Sequence, residues 1–448
     1  MTTVTDAISR AQDEAVAFTQ DLVRIDTTNL GDGHSRGEPE AAEYVAERLR
    51  EVGLTPTVLE SRPGHANVVV RIPGADRTRG GLVVHGHLDV VPADPDEWSV
   101  DPFCGDIIDG VLWGRGSIDM KGTDGAVLAA VRHLVREGRT PPRDLVVAFF
   151  ADEEDGGTFG AQWLVSHHPE LFDGCDQAVT EGGGFSIDLA TGPDRHQRAY
   201  VLRSAEKGMC WIRLRATGKP GHGSFPHPDS AVVRLLAALT RIAGHHWPVR
   251  HLASVQAMID GIGSLTGHPL HTLSAEEQEA RLREVLGQSY GRVAGARSDS
   301  VNITRLNAGY KTNVVPGLAE AVLDCRILPG HEDEVVGTIR ELAGDRVEVT
   351  IEKQTPALES PLDVPLVHAM RSAVRAEDPD ARFLPFCSSS ATDNKALSRL
   401  GIQGYGFAPM RLPADLSFSS LFHGIDERVP VASLRFGTRV LIHFLDQC

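Results

Sequence analysis

Short valine-rich runs that alternate with helical stretches constrain the fold of this chain more than any other feature. Four such runs lie in the first 180 residues: NVVVRI (67–72), GLVVHG (81–86), DLVVAFF (144–150) and QAVT (177–180). Continuous apolar runs of this length are typical of parallel strands that are covered on both faces. Between the second and third runs, residues 123–138 carry apolar side chains at helical spacing and end at a glycine. This alternation predicts an α/β domain with helices on both faces of its sheet.

A different pattern occupies the middle of the chain. Residues 209–218 alternate apolar and polar side chains, as a strand with one buried face does. The elements that follow give the order strand–helix–strand–strand–helix–strand, which is the ferredoxin-like unit. Because 448 residues exceed what one compact core usually holds, we expect two domains. The predicted division is an α/β domain in two parts, 1–204 and 356–448, with an α+β domain inserted at 205–355.

The composition excludes several classes of partner. Forty-four basic and 61 acidic residues give a net charge of −17, which disfavours nucleic acid or an anionic membrane as the main partner. No segment approaches the roughly 18 apolar residues of a membrane span, and the N-terminal stretch lacks the apolar core of a signal peptide. The six cysteines are scattered, without a C-x-x-C pair, so a disulfide framework is not expected. We therefore expect a cytoplasmic protein.

Histidine and acidic side chains directly follow three of the valine-rich runs. They are His87 and Asp89, then Asp152, Glu153 and Glu154, and then Glu181. The carboxyl ends of parallel strands open onto one crevice, so these side chains are expected to meet there. Clustered carboxylates repel one another and are costly to desolvate, and divalent cations remove that cost. The alternative is an acidic cluster that faces solvent and binds no metal.

The types of residue in this cluster indicate which metal it would bind. Histidine with carboxylates and without cysteine suits zinc, with cobalt or manganese as alternatives. Asp89, two residues beyond His87, is placed to receive the second ring N–H of that histidine.

The loop WGRGSIDMKG (113–122) adds Asp119 before a predicted helix. Taken alone, this aspartate is as well explained as a helix N-cap or turn residue, which is a common role for aspartate. The glycines around it match neither the dinucleotide-binding nor the Lys-bearing phosphate-loop spacing, so we reject nucleotide binding.

Successive motifs give the chain a specific resemblance. HGHLDVVPAD, DPFCGDIIDGVLWGRGSIDMKG, ADEEDGG, TEGGG and FHGIDERVPV occur in that order. They resemble the motifs of the co-catalytic zinc amidohydrolase family of aminoacylase, succinyl-diaminopimelate desuccinylase, acetylornithine deacetylase and carboxypeptidase G. The resemblance covers essentially the whole chain. It implies a mixed, mostly parallel sheet of the zinc-exopeptidase type, with an inserted ferredoxin-like domain that acts as a lid and in dimerisation.

The resemblance also implies roles for individual residues around two metal ions. Asp119 would bridge both ions, His87 and Glu181 would bind one, and Glu154 and His423 would bind the other. Glu153 would be the general base. In this family the bond that corresponds to Asp119–Met120 is commonly cis.

In the inserted domain the resemblance implies a substrate-binding set. His222, within GHGS, would hold the developing oxyanion from the other subunit of a homodimer. Asn313 and Arg326 would bind the free carboxylate of the substrate, for which the planar arginine side chain is suited. Thr392 lies in SSSATDNKAL, where the family has a glycine-rich loop, and this chain has serines instead.

The expected activity is hydrolysis of the amide bond of N-acyl-L-amino acids. Two ions would activate a shared water, and Glu153 would take its proton and return it to the departing amine. A dipeptidase or carboxypeptidase with the same centre is the alternative, because its substrates also end in a free carboxylate. The Glu181-Gly-Gly sequence and the long segment 245–297 resemble the branch of this family that contains glycine-releasing carboxypeptidases and hydrolases of apolar N-acyl amino acids, and this resemblance implies an apolar acyl group. From a different class, a metal-binding scaffold without catalysis is the remaining alternative.

Overall fold

The computed structural model describes residues 4–448 except 32, 193–194, 288–289, 415 and 417. The helices are Val4–Arg24 (α1), Pro39–Arg50 (α2), Lys121–Arg136 (α3), Ala161–His167 (α4), Ala231–Ala243 (α5), Ala253–Thr266 (α6), Ala275–Leu286 (α7), Tyr290–Gly295 (α8), Glu332–Ala343 (α9), Pro365–Glu377 (α10), Asn394–Leu397 (α11) and Val431–Leu445 (α12). The strands of the first half are Asn29–Gly31 (β1), His34–Ser35 (β2), Thr57–Arg62 (β3), His65–Ile72 (β4), Gly81–His87 (β5), Ile107–Ile108 (β6), Val111–Trp113 (β7), Leu145–Phe150 (β8), Cys175–Thr180 (β9), Ser186–Gly192 (β10) and Arg195–Glu206 (β11). The remaining strands are Gly208–Thr217 (β12), Gly221–His222 (β13), Ser300–Ala308 (β14), Val314–Val315 (β15), Leu318–Ile327 (β16), Val347–Thr355 (β17), Leu358–Glu359 (β18), Arg382–Ser388 (β19), Gln403–Gly406 (β20) and Arg428–Pro430 (β21).

A ten-stranded mixed sheet forms the larger layer of the molecule. Its order is β10-β11-β20-β9-β5-β8-β4-β3, and β18 and β19 pair with β11 outside that path. The central strands β8, β5, β9 and β20 run parallel to one another. The predicted α/β class, with a mixed sheet flanked by helices, is confirmed.

The first valine-rich run does not join the parallel set. Strand β4, which contains residues 67–72, pairs antiparallel with β8 and, on its other side, with β3. The link from β4 to β5 is only residues 73–80 and contains no helix. Because a parallel crossover needs about a dozen or more residues, this short link requires the strand to reverse direction. The prediction of a parallel strand at 67–72 was wrong.

Helices cover both faces of the large sheet. One face packs Val68, Val84 and Val147 against α1, α2, α3, α10 and α12. The other face packs Val83 and Val146 against α4 and α11. Alternate residues of the same strand therefore enter two different cores, which explains why the runs are apolar without a break.

A second sheet of four antiparallel strands has the order β14-β16-β12-β17, with α5 and α9 packed on one face. In chain order these elements are β12, α5, β14, β16, α9 and β17, so the topology is that of the predicted ferredoxin-like unit. The three helices α6, α7 and α8, which interrupt this unit, contribute to a core with β10, β11 and β19 of the large sheet. The sequence analysis assigned this segment, 245–297, to the insert without predicting helices in it, and the limits of 205–355 stay a prediction.

Two short crossings connect the sheets, and one buried lysine bonds to both. The crossings are residues 206–208, between β11 and β12, and residues 355–358, between β17 and β18. Lys395, which is 6% exposed, donates from Nζ to the carbonyl of Lys207 and, at 2.9 Å, to the carbonyl of Pro356. Lys207 is itself buried and donates from Nζ to the carbonyl of Ser298 at 2.6 Å. Buried ammonium groups thus satisfy the backbone where the chain passes between the two sheets.

Among the described residues, no helix combines the length and the apolar composition needed to cross a membrane.

Candidate metal centre

The predicted convergence of strand ends is present in the structure. Strand β5 ends at His87 and lies between β8 and β9, parallel to both. Glu153 and Glu154 begin a short 3₁₀ turn three residues after the end of β8, and Glu181 directly follows β9. Parallel pairing therefore brings three separate parts of the chain to one edge of the sheet.

Asp119 lies between two histidines. Its Oδ1 is 3.2 Å from Nε2 of His87, and its Oδ2 is 3.3 Å from Nε2 of His423. The peptide bond between Asp119 and Met120 is cis, as the resemblance implied. One carboxylate that turns a different oxygen to each imidazole has the geometry expected of a bridging ligand.

The other candidate ligands form two groups around this aspartate. In one group, ligand atoms of His87, Asp119 and Glu154 all lie within 4.8 Å of one another. In the other, ligand atoms of His87, Glu153 and Glu181 meet the same limit. His423 joins the first group, because its Nε2 is 3.2 Å from Oε2 of Glu154. The structure thus brings together all five predicted ligands and the predicted base.

The electrostatics of this cluster suit bound cations. Burial, followed by repulsion from Asp119, raises the pKa of Glu154 to about 7 and that of Glu181 to about 8. Burial also raises the pKa of Glu153 well above its ordinary value. Oε1 of Glu154 is buried and has no hydrogen-bond partner within the described part of the chain. An acidic pocket with an unpaired buried oxygen is what a divalent ion would neutralise.

The two histidines compensate the acids by holding protons. Hydrogen bonds to Asp119 and Glu154 raise the pKa of His423 to about 10. Burial alone would lower the pKa of His87, but hydrogen bonds with Asp119 and Asp89 reverse this and raise it. Burial opposes ionisation of Asp119, yet its bonds to both histidines lower its pKa. These shifts favour a proton on each imidazole nitrogen that faces Asp119, and a bound cation would replace that proton.

Asp89 supports the centre differently from the way we predicted. Nδ1 of His87 is 3.0 Å from the backbone carbonyl of Asp89, and 3.6 Å from its carboxylate. The carboxylate instead accepts the backbone N–H of Glu153 at 3.0 Å and of Glu154 at 3.1 Å, and the side-chain amide of Asn29 at 2.9 Å. Asp89 therefore fixes both the histidine ring and the turn that carries the predicted base.

Two further buried residues hold the ligands, and the sequence analysis missed both. The carboxylate of Glu427 accepts the backbone N–H groups of Ile118 at 2.7 Å and Asp119 at 3.0 Å, and its other oxygen pairs with Arg115 at 2.6 Å. Arg203 donates from Nη2 to the carbonyl of Glu181 at 2.6 Å. Glu427 lies inside the quoted motif FHGIDERVPV, which was a usable signal, whereas Arg203 lies in no motif.

In the inserted domain, the structure places two of the predicted residues side by side. His222 pairs with Val314 across the short β13–β15 ladder, and the backbone N–H of Gly223 donates to the carbonyl of Asn313 at 2.9 Å. Both His222 and Asn313 are exposed. Nδ1 of His222 is 2.7 Å from the hydroxyl of Ser224, which leaves Nε2 directed away from that contact.

The remaining two predicted substrate residues have internal partners. Arg326 donates to both oxygens of Asp324, at 2.8 and 3.1 Å, and its side chain is 29% exposed. Thr392 is buried and donates its hydroxyl to Glu206 at 2.6 Å, and its backbone N–H donates to the same carboxylate at 3.1 Å. Thr392 is therefore anchored to the crossing between the sheets rather than open to a ligand.

Comparisons with known proteins agree with this architecture. The sequence pattern of peptidase family M20/M25/M40 matches residues 83–447. Aminoacylase-1 of Sus scrofa is 30% identical over 412 residues, which is 90% of this chain and 89% of that protein. Probable carboxypeptidase S-like 2 of Dictyostelium discoideum is 28% identical over 82% of this chain and 72% of its own length. An M20 family metallo-carboxypeptidase from Sulfolobus solfataricus has the same fold, with a TM-score of 0.69 at 18% identity, over 97% of this chain and 99% of that one.

Proposed function

This chain belongs to peptidase family M20/M25/M40, and from that premise we propose that it hydrolyses the amide bond of N-acyl-L-amino acids. The products are a carboxylic acid and a free amino acid. The observation that carries the proposal is the position of Asp119 between His87 and His423, with Glu153 beside them. The similarity to aminoacylase-1 along nine-tenths of the chain supports the choice of substrate.

The centre would hold two divalent ions, of which zinc suits the donors best and cobalt or manganese are alternatives. His87 and Glu181 would bind one ion, Glu154 and His423 the other, and Asp119 both. When bound, such a pair polarises the amide carbonyl and makes water a stronger nucleophile at neutral pH. Asp89 and Glu427 keep the ligands in place through the backbone bonds described above.

Glu153 is the proton carrier of the reaction. Its carboxylate takes a proton from the attacking water and passes it to the nitrogen of the departing amine. Burial raises its pKa, and this makes the carboxylate a stronger base than an exposed glutamate. The bond from its backbone N–H to Asp89 holds the turn that carries this carboxylate.

The substrate carboxylate would be bound from the inserted domain. Arg326 offers its planar guanidinium, and Asn313 its side-chain amide. Since Asp324 already occupies two donors of Arg326, the substrate would share the guanidinium with this aspartate. Such a site selects for a free carboxylate without fixing the acyl group.

The protein would act as a homodimer in which His222 stabilises the oxyanion in the site of the partner. Strand β14 is at the edge of the four-stranded sheet, and Ile303 and Leu306 on it are 40% and 54% exposed. On the adjacent helix α5, Val233 and Leu236 are 45% and 48% exposed. An open sheet edge beside exposed apolar side chains is an association surface, and a second β14 related by a two-fold axis would cover it.

Complementation tests the contribution of His222 across the dimer. His222→Ala and Glu153→Gln homodimers should each be inactive, but mixing them should restore up to about a quarter of wild-type activity if subunits pair randomly. One site of each mixed dimer then has an intact Glu153 and receives an intact His222. The measurement is turnover after the subunits have been dissociated and reassociated.

As a control, Leu236→Glu combined with Leu306→Lys should give monomers by light scattering, whereas Leu400→Lys, at an exposed leucine elsewhere, should not. A mixture that stays inactive would place His222 in its own subunit's site, and an active His222→Ala homodimer would place it outside catalysis.

A substrate panel tests the reaction itself. We expect the zinc- or cobalt-loaded protein to hydrolyse N-acyl-methionine and N-acyl-phenylalanine faster than unblocked dipeptides. The same N-acyl amino acids with an amide in place of the free α-carboxylate should not be hydrolysed. The readout is release of the primary amine. Faster hydrolysis of dipeptides would favour the alternative carboxypeptidase or dipeptidase activity, which the similarity to carboxypeptidase S-like 2 supports. Absence of turnover across the panel in the metal-loaded protein would favour a scaffold.

We place this activity in the cytoplasm. All six cysteines are free thiols, and four of them are buried, which suits a reducing compartment.

A further inference from the structure

A second concave surface lies apart from the metal centre, between α6, α10 and the start of β19. It has a volume of about 620 Å³. Three arginines and a histidine contribute to its lining: Arg371, Arg375, Arg382 and His368. Ser264 and Ser372 add hydroxyl groups, and Phe383 adds a half-buried ring. A chain with a net charge of −17 thus gathers several cations on one concave surface.

The charges of these arginines are not neutralised by the protein. Within the described residues, Arg371, Arg375 and Arg382 form no ion pair. Arg375 lies over the ring of Phe383, at 5.2 Å, and the charge of Asp363 acts on Arg371 without pairing with it. The acids at the end of α10 have other partners. Glu377 pairs with Arg439 at 2.6 Å and His443 at 3.1 Å.

Two further acids near this surface are engaged, while Asp380, two residues before Arg382, is exposed and forms no ion pair within the described residues. Asp378 pairs with Arg198 at 3.3 Å and accepts the hydroxyl of Tyr200 at 2.9 Å. Asp363, which is 97% exposed, pairs with His368 at 3.0 Å. The nearby carboxylates therefore leave three guanidinium groups available to an external anion.

Arg371 is the most constrained of the three arginines. Its Nε is buried and, among the described residues, has no hydrogen-bond partner. Burial, followed by repulsion from Arg375, lowers its pKa. A buried donor and an adjacent like charge both cost free energy, and a bound anion would relieve both costs.

We propose that this surface binds a phosphate-bearing small molecule. Arginine guanidinium groups match the oxygens of a phosphate in a two-pronged arrangement, and serine hydroxyls commonly add single bonds. The volume lies within the range of small-molecule sites, so the ligand is larger than a lone ion. The ring of Phe383, beneath Arg375, gives the site an apolar wall for the organic part of the ligand.

The site is separate from the metal centre. Arg382 begins β19, and the strand ends at Ser388, close to the loop that carries Thr392. Seven residues of strand span roughly 20 Å, so the arginines lie at the far end of this strand from the catalytic edge.

Binding of pyrophosphate and of inorganic phosphate to the metal-loaded protein tests the proposal. Calorimetry at constant ionic strength should show saturable binding of pyrophosphate, and weaker binding of phosphate. The variant Arg371→Gln/Arg375→Gln should bind pyrophosphate at least about tenfold more weakly, because each lost charge-assisted pair is worth about that factor. Arg371→Lys should give an intermediate affinity, since it keeps the charge and loses the planar pair of donors. The control Arg77→Gln/Arg79→Gln removes the same charge from an exposed loop and should bind as the wild type does.

Three results would overturn the proposal. One is that pyrophosphate gives no more heat or thermal stabilisation than sodium chloride of equal ionic strength. Another is that the Arg371→Gln/Arg375→Gln variant binds as tightly as the wild type, which would place the anion on the catalytic ions. The third is that both double variants weaken binding equally, which would show attraction by general charge. Circular dichroism and the anion-free melting temperature confirm that each variant is folded.

Discussion

Replacing Glu153 by glutamine is expected to lower kcat for N-acyl-amino acid hydrolysis by about 10³- to 10⁴-fold while the metal content stays unchanged. Glutamine has nearly the shape of glutamate but cannot accept the proton of the attacking water. In the structure, this carboxylate lies beside His87 and Glu181 in a buried pocket, and its backbone N–H is fixed by Asp89. The variant therefore removes the base without removing the turn that carries it.

The matched control for this variant is Asp155→Asn. Asp155 lies two residues further along the same 3₁₀ turn, where its carboxylate accepts the backbone N–H of Gly33 at 3.2 Å. Asparagine keeps an acceptor at that position, so turnover should stay within a few-fold of wild type. Turnover and metal per chain, by mass spectrometry of the metals, are measured on the same samples. If Glu153→Gln lost metal together with activity, Glu153 would be a ligand rather than the base.

Asp119→Asn is expected to produce the largest loss of metal of any single ligand change. Asp119 directs one oxygen toward His87 and the other toward His423, so it serves both halves of the centre. Asparagine lacks the charge needed at both positions, and activity should fall to the level of chelated wild-type protein. Added zinc or cobalt should restore the chelated wild type but not the variant.

Changes to ligands of one ion provide the comparison for Asp119. Glu181→Gln and His423→Ala each remove a donor from one half of the centre, so each should keep more metal per chain than Asp119→Asn. The measurement is metal content after dialysis against a fixed concentration of free zinc. Equal metal content in all three variants would contradict the bridging role of Asp119, and wild-type activity that survives complete chelation would contradict the metal centre itself.

The parts of the fold that the sequence predicted are those governed by local periodicity. Apolar side chains at helical spacing predict helices at 332–343 and 430–446, and the structure has α9 at the first place and α12 at the second, within a residue at each end. The βαββαβ order predicted the small sheet, because each element carries its own apolar pattern. Strand β19 was missed because Pro385 interrupts its run. Proline is tolerated there since, among the strands that the structure describes, β19 pairs with β11 alone and leaves its other side unpaired.

The candidate site was predictable for a different reason. The ligands that follow valine-rich strands converge because parallel strands share an edge, and the motif resemblance supplied His423 from the far end of the chain. Asn29, Arg203 and Glu427 were not predicted, because each acts through a contact between parts of the chain far apart in sequence. A polar residue that will be buried by such a contact has no periodic signal of its own.

The position of Lys395 has a mechanical consequence. Its ammonium group donates hydrogen bonds to backbone carbonyls in both crossings between the sheets, and Lys395 follows Thr392 by three residues. The hydroxyl of Thr392 in turn donates a hydrogen bond to Glu206 in the first crossing. A tilt of the smaller sheet relative to the larger one would strain these hydrogen bonds. It would therefore also strain the loop between Ser388 and Asn394, which carries Thr392. The angle between the two sheets and the conformation of this loop are therefore coupled through the side chains of Lys395, Thr392 and Glu206.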